Sequence, residues 1–80
     1  MRLDKFLKVS RIIKRRTIAN EACDSGRVSV NGNIAKASYD VKVGDVLELR
    51  FGEKITKFEV LEVLEHVSKD TASQLYRVIG

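Results

Sequence analysis

Four cations crowd six positions of this sequence: Arg11, Lys14, Arg15 and Arg16, in the stretch Ser10–Thr17. Like charges this close repel one another, and folding alone does not favour gathering them. Arginine offers a planar fork of donors that fits a phosphate with two parallel hydrogen bonds, and lysine adds a compact point charge. The spacing of Ile18, Ala19, Ala22 and Cys23 predicts a helix from near Lys14 to about Ser25, with those four residues on the core side. Lys14, Arg15 and Arg16 then fall at a helix N-terminus, which already carries partial positive charge and free N–H groups. Helix physics puts acids there. Cations in that place point to an anionic ligand from outside the chain.

Other chemistry finds little footing. The one histidine, His66, has no serine or carboxylate at a spacing that suggests a nucleophile and its base, and reads as a surface residue. Cys23 is the only cysteine, so no internal disulfide forms. Its place beside Ala22 predicts a small buried core side chain. Glu48, Glu59, Glu62 and Glu65 read as outward residues of strands, with no pocket to shift their pKa values. Gly44 and Gly52 mark turns, and no glycine-rich phosphate loop or metal-ligand set is present. The expectation is a binding protein without catalysis, cofactor or metal.

Leu3, Phe6 and Leu7 repeat at helical spacing and predict a short helix over residues 2–8, with Asp4 near its favourable end. Ser10–Ile13 reads as a bend. Gly26 supplies the left-handed stop of the second helix. The period then changes to two. Arg27–Val30 and Asn33–Lys36 read as strands joined by Asn31-Gly32, the pair a type I′ hairpin turn requires. Further strands are expected over Val46–Phe51 and Ile55–Leu64, with Phe58 and Val60 inward and Leu61 and Val63 as further inward candidates. Ser68–Leu75 is a loop or one helical turn, and Tyr76–Ile79 a last short strand. Helices first and then a small, mostly antiparallel sheet make an α+β domain. Leu3, Phe6, Leu7 and Ile18 are its expected core.

The chain has 80 residues, enough for one domain with a thin core, and a net charge of +4. Residues 1–36 carry nine Lys/Arg against three acids, while residues 37–80 carry six against eight. Such polarity suits a polyanion held at one end. No apolar run has the length of a signal peptide or a membrane span, so a cytoplasmic protein is expected.

The segments RLDKFL, KRRTIANEACDSGRVSVNG and VKVGDVLEL, in that order over residues 2–49, resemble the ribosomal protein S-four type RNA-binding domain. The resemblance implies an αL RNA-binding motif, two or three short helices packed on a small antiparallel sheet, that meets folded rRNA or tRNA. It implies RNA-binding roles for Arg2, Lys5, Arg11, Lys14, Arg15, Arg16, Arg27 and Lys36. Arg27 and Lys36 read equally well as solvated strand residues, and Asp4 as an internal partner that orients an arginine or caps its helix. Asn31 and Gly32 serve the turn. The motif with residues 50–80 as a strand extension suggests a domain that works alone and as a monomer. In this it is similar to the Hsp-fifteen heat-shock type and, more closely in its opening MRLDKFLKVSRIIKRRT, to the RqcP type. That likeness implies a clamp in ribosome quality control. It would bind large-subunit rRNA and peptidyl-tRNA beside a partner of the RqcH/NEMF class that adds alanine tails. A heat-shock or assembly-type ribosome binder uses the same residues. A small DNA-binding regulator is the alternative of another class, with the basic helix as its reader.

Overall fold

The computed structural model describes residues 1–80. Two helices, α1 (Leu3–Val9) and α2 (Arg16–Asp24), lie on one face of a five-stranded antiparallel sheet. Its strands are β1 (Val28–Val30), β2 (Asn33–Ile34), β3 (Val46–Phe51), β4 (Lys54–Val60) and β5 (Tyr76–Val78), in the order β2-β1-β3-β4-β5. A 3₁₀ turn, Ala72–Leu75, leads into β5. No helix is long and apolar enough to cross a membrane.

Alternation sets which side chains enter the core. Val28 and Val30 of β1, Leu47 and Leu49 of β3 and Val60 of β4 face the helices, where they meet Leu3, Phe6, Leu7, Ala19, Ala22 and Cys23. Burial pushes the Cys23 thiol up to about 12, so it stays protonated and inert. The other face of the sheet meets solvent. There Glu48 lies opposite Lys57, and Glu59 opposite Arg77, as cross-strand ion pairs.

The α+β class and the order of elements agree with the sequence reading, but four details differ. α2 starts at Arg16, not Lys14, because Ile13 is buried and its N–H is tied to the Leu7 carbonyl, which holds the connection in a turn. Ile18 is not core: it is 45 % exposed, one position off the Ala19, Ala22, Cys23 stripe. β2 stops at Ile34, since Ala37 turns away to donate its N–H to Asp24 and accept from the N–H of Asp4. β4 stops at Val60, not Leu64. The N–H groups of Leu61 and Glu62 turn to the Leu75 carbonyl, which leaves Leu61 exposed. The chain then recrosses to α1, where Val63 and Val67 pack on the core and Glu65 pairs with Lys5.

Two polar knots fix the layers. The turn at Asn31 and Gly32 has positive φ at both residues, 52° and 88°. Asn31 also donates to Asp45 at 3.0 Å and accepts from the Val46 N–H at 2.9 Å. The same Asp45 accepts from the Tyr39 hydroxyl and the Lys42 N–H, so one carboxylate joins the hairpin turn to the start of β3. Burial together with Asp45 raises the Tyr39 phenol above its ordinary value.

The second knot is Asp4, whose side chain is only 3 % exposed. Its Oδ1 accepts from Arg2 Nε at 3.1 Å and the Lys5 N–H at 2.8 Å; its Oδ2 accepts from Asn20 Nδ2 at 3.1 Å, Arg2 Nη2 at 3.4 Å and Arg16 Nε at 3.5 Å. Burial by itself would raise this carboxyl. The Arg2 and Asn20 hydrogen bonds, the Arg16 charge and the Lys5 N–H outweigh it and hold the group at about 2.

A depressed carboxyl stabilises the fold above its unfolded pKa, and that contribution is lost as pH falls through the folded value. For Asp4 the window runs from about pH 5 to pH 2, and the group contributes about 2 kcal/mol. In urea melts, the stability gap between the wild type and Asp4→Asn therefore narrows as pH drops from 5 to 2; a constant gap would sink the assignment. Leu7→Ala, at a fully buried site, lowers stability by about 2–5 kcal/mol at every pH, read in the same melts.

Candidate nucleic-acid interface

The start of α2 is built without an internal cap. Arg15, the N-cap residue, is extended (φ −115°, ψ 128°) and its side chain makes no capping bond. No acid stands in the first turn. The N–H groups of Arg16, Thr17 and Ile18 have no acceptor within the protein. Three donors, the positive end of the helix dipole and the side chains of Lys14, Arg15 and Arg16 therefore face outward together.

Asp4 sets the geometry beside it. It draws Arg2, the N-cap residue of α1, and Arg16, the first residue of α2, onto its two oxygens. Each guanidinium uses part of its fork on the carboxylate and stays half exposed, at 50 % and 49 %. The remaining N–H groups are free for an outside acceptor, and two cations around one anion leave a net positive charge. Asp4, Arg16, Thr17, Asn20 and Glu21 line a shallow hollow of about 400 Å³ beside the pair. Asp4 is neutralised there by its arginines, whereas Glu21 has no cation partner and marks the limit of the anion-favouring surface.

The eight residues singled out in the sequence fall into groups. Arg2 and Arg16 share Asp4, with Lys14 and Arg15 next along the chain. Arg11 sits in the α1–α2 connection with positive φ, 62°, in a hollow it shares with Lys8, Glu65 and His66. Lys5 is half-buried and its ammonium is held by Glu65, whose carboxyl it lowers. Arg27 and Lys36 lie away from the cluster. Arg27 follows the C-terminal end of α2, and Lys36 precedes Ala37, which bonds Asp24 at that same end. Lys14, Arg15, Arg11, Arg27 and Lys36 make no ion pair.

Sequence reasoning missed two residues. Asn20 completes the coordination of Asp4; its signal was the i, i+4 spacing from Arg16, which puts both on one helix face. Lys8 is exposed and unpaired next to Arg11. Nowhere do three His, Cys, Asp or Glu side chains gather as metal ligands.

The profile of the S4 domain family matches residues 1–47. The chain is 60 % identical over 78 residues to an RQC P-site tRNA stabilizing factor of Halalkalibacterium halodurans, covering 98 % of this chain and 89 % of that protein. It is 56 % identical over 79 residues to the factor of the same name in Bacillus subtilis, covering 99 % and 92 %. Among solved structures, trimeric Heat Shock Protein 15 of Vibrio cholerae superposes with a TM-score of 0.89 at 32 % identity, over 99 % of this chain and 81 % of that one. With more than half its length matched and identity this high across nearly all of it, the chain belongs to the S4 domain family, in the company of the RQC P-site tRNA stabilizing factors.

Proposed function

We propose that this protein is an RNA-binding factor of bacterial ribosome-associated quality control. It binds large-subunit rRNA and P-site tRNA on the stalled large subunit and supports C-terminal alanine tailing by an RqcH/NEMF-class partner. The observation that carries the reading is the uncapped start of α2, where Lys14 and Arg15 stand unpaired beside the Arg2–Asp4–Arg16 unit. The names of the relatives supply the ribosomal setting. In this reading the whole of 1–80 is one RNA-binding unit, the motif over 2–49 and the strand extension after it. It acts as a cytoplasmic monomer and performs no chemistry of its own. The surface reads backbone and shape, since A-form RNA hides its base edges. Arg2, Arg11, Lys14, Arg15 and Arg16 form the principal contact. Lys5, Arg27 and Lys36 add charge at its margins.

A second reading rests on the likeness to Heat Shock Protein 15: a heat-shock or assembly-type ribosome binder without a part in tailing. A tagged pull-down from bacterial lysate separates the two. Large-subunit rRNA with tRNA and an RqcH-type protein marks quality control; rRNA alone marks the second reading.

Arg15→Ala/Arg16→Ala loses subunit binding by about a hundredfold or more, since a charge-assisted phosphate contact is worth roughly 1.5–3 kcal/mol. Arg15 is exposed and its loss leaves the fold intact, whereas Arg16 is one of the partners of the buried Asp4. The double variant therefore melts somewhat below the wild type while its far-UV circular dichroism stays native, and binding is compared well below its melting temperature. Normal binding by the double variant would remove the site from consideration. Arg11→Gly makes a sharper separation. Glycine fits a φ of 62° without steric cost, so stability holds within about 1 kcal/mol while binding to subunits weakens. Unchanged binding would mean that Arg11 is only a surface residue.

A further inference from the structure

The β3–β4 hairpin carries an aromatic ring that the core does not use. Phe51, the last residue of β3, points to the same side as Leu47 and Leu49 by strand alternation, yet it is 43 % exposed. It forms one wall of a groove of about 200 Å³ with Ile12, Leu49, Lys54, Thr56 and Phe58. The floor is firm. Leu49 is buried, and Phe58 is braced edge-to-face by Tyr76, with ring centres 5.2 Å apart and planes at 84°. Lys54 stands directly across the ladder from Phe51 and is unpaired. Ile12 comes from the α1–α2 connection, between the unpaired cations Arg11 and Lys14. No carboxylate lines the groove.

We propose that this groove is a binding site for one unpaired nucleobase of the RNA, stacked on Phe51 with its phosphate toward Lys54 and the Arg11–Lys14 loop. The inference rests on the RNA-binding reading above and adds a specificity element to it. Charge chooses the occupant. An apolar side chain of a protein partner would fit the ring but leave Lys54, the one cation that lines the groove, without a role. A flipped nucleotide satisfies both, because every base offers a π-face and carries its own anion. Thr56 adds a hydroxyl able to meet a base edge. The groove is also of the right scale: pockets for drug-sized ligands run to about 300–1,000 Å³, and one planar base needs less. It joins Ile12, within the S4 match, to Phe51 and Lys54, which lie beyond it.

The test uses the full chain and two RNA probes, a fully paired hairpin and the same hairpin with one bulged adenosine. The wild type binds the bulged hairpin about tenfold more tightly, the scale of one base–aromatic stack. Phe51→Leu, which keeps an apolar side chain, loses that preference while its affinity for the paired hairpin and its melting temperature stay put. Phe51→Trp keeps the preference, and its new indole fluorescence is quenched by the bulged probe alone. Equal binding of both probes by the wild type, or a preference that survives in Phe51→Leu, overturns the site. So does sedimentation showing a wild-type oligomer that Phe51→Leu dissociates, which would make the groove a contact between copies. Equal binding that Arg15→Ala/Arg16→Ala abolishes defeats only this inference; failure of the wild type to bind either probe defeats the phosphate-binding reading with it.

Discussion

A carboxylate shut away from water must find its compensation inside the protein, and Asp4 finds it from two helices at once. Arg2 and the Lys5 N–H reach it from α1, Arg16 and Asn20 from α2. Removing any one of these partners would leave charge buried and underpaid in hydrogen bonds. The angle between the helices and the direction of both guanidinium groups are thereby set by one side chain. This is the link from packing to function. An arginine already held on one edge has less rotamer freedom to lose when its other edge meets a phosphate. The small residues Ala19, Ala22 and Cys23 let the helix layer close onto the sheet and keep the pair in register.

The division of charge follows from the same economy of partners. Of the eight acids of residues 37–80, four are met by cations, Glu48 by Lys57, Glu59 by Arg77, Glu65 by Lys5 and Asp40 by the amino group of Met1, and Asp45 by hydrogen bonds. The terminal amino group holds the Asp40 carboxyl below its usual range. Lys8, Arg11, Lys14 and Arg15 are left without such partners. The net charge of +4 is therefore displayed mainly along the first helix and its connection to the second, where it attracts a polyanion at a distance before any contact is made.

Much of this was legible in the residues. Glycine after α2, the Asn31-Gly32 turn and the period change at Val28 are local signals, and each matches what is seen. The basic cluster at the start of a helix was equally plain. What escaped has a common cause. The end of β4 depends on the Leu75 carbonyl, the end of β2 on Asp24, and the exposure of Ile18 on where α2 starts, which Ile13 decides from the core. These are tertiary decisions, invisible to propensity and period. The pairing of Lys5 with Glu65 spans sixty positions and could not be seen from either side of it. Family resemblance covered residues 2–49, the helices, the first hairpin and the start of β3; it was silent on Phe51 and Lys54.

The contacts that build the arginine pair are close in sequence: Asp4 reaches Arg16 and Asn20 across 12 and 16 positions. Within the sheet the β1–β2 and β3–β4 hairpins are as local, but Val28 finds Leu49 over a longer loop, and Leu75 enters a core that begins at Leu3. Loop-closure entropy favours the shorter contacts, so the helical hairpin with its arginine pair and the β3–β4 hairpin lie on the fast side of assembly, and the docking of Leu75 against the N-terminal core on the slow side. In a chain that emerges from its N-terminus first, the two helices and their basic connection have their parts in hand before the residues that seal the core have been made.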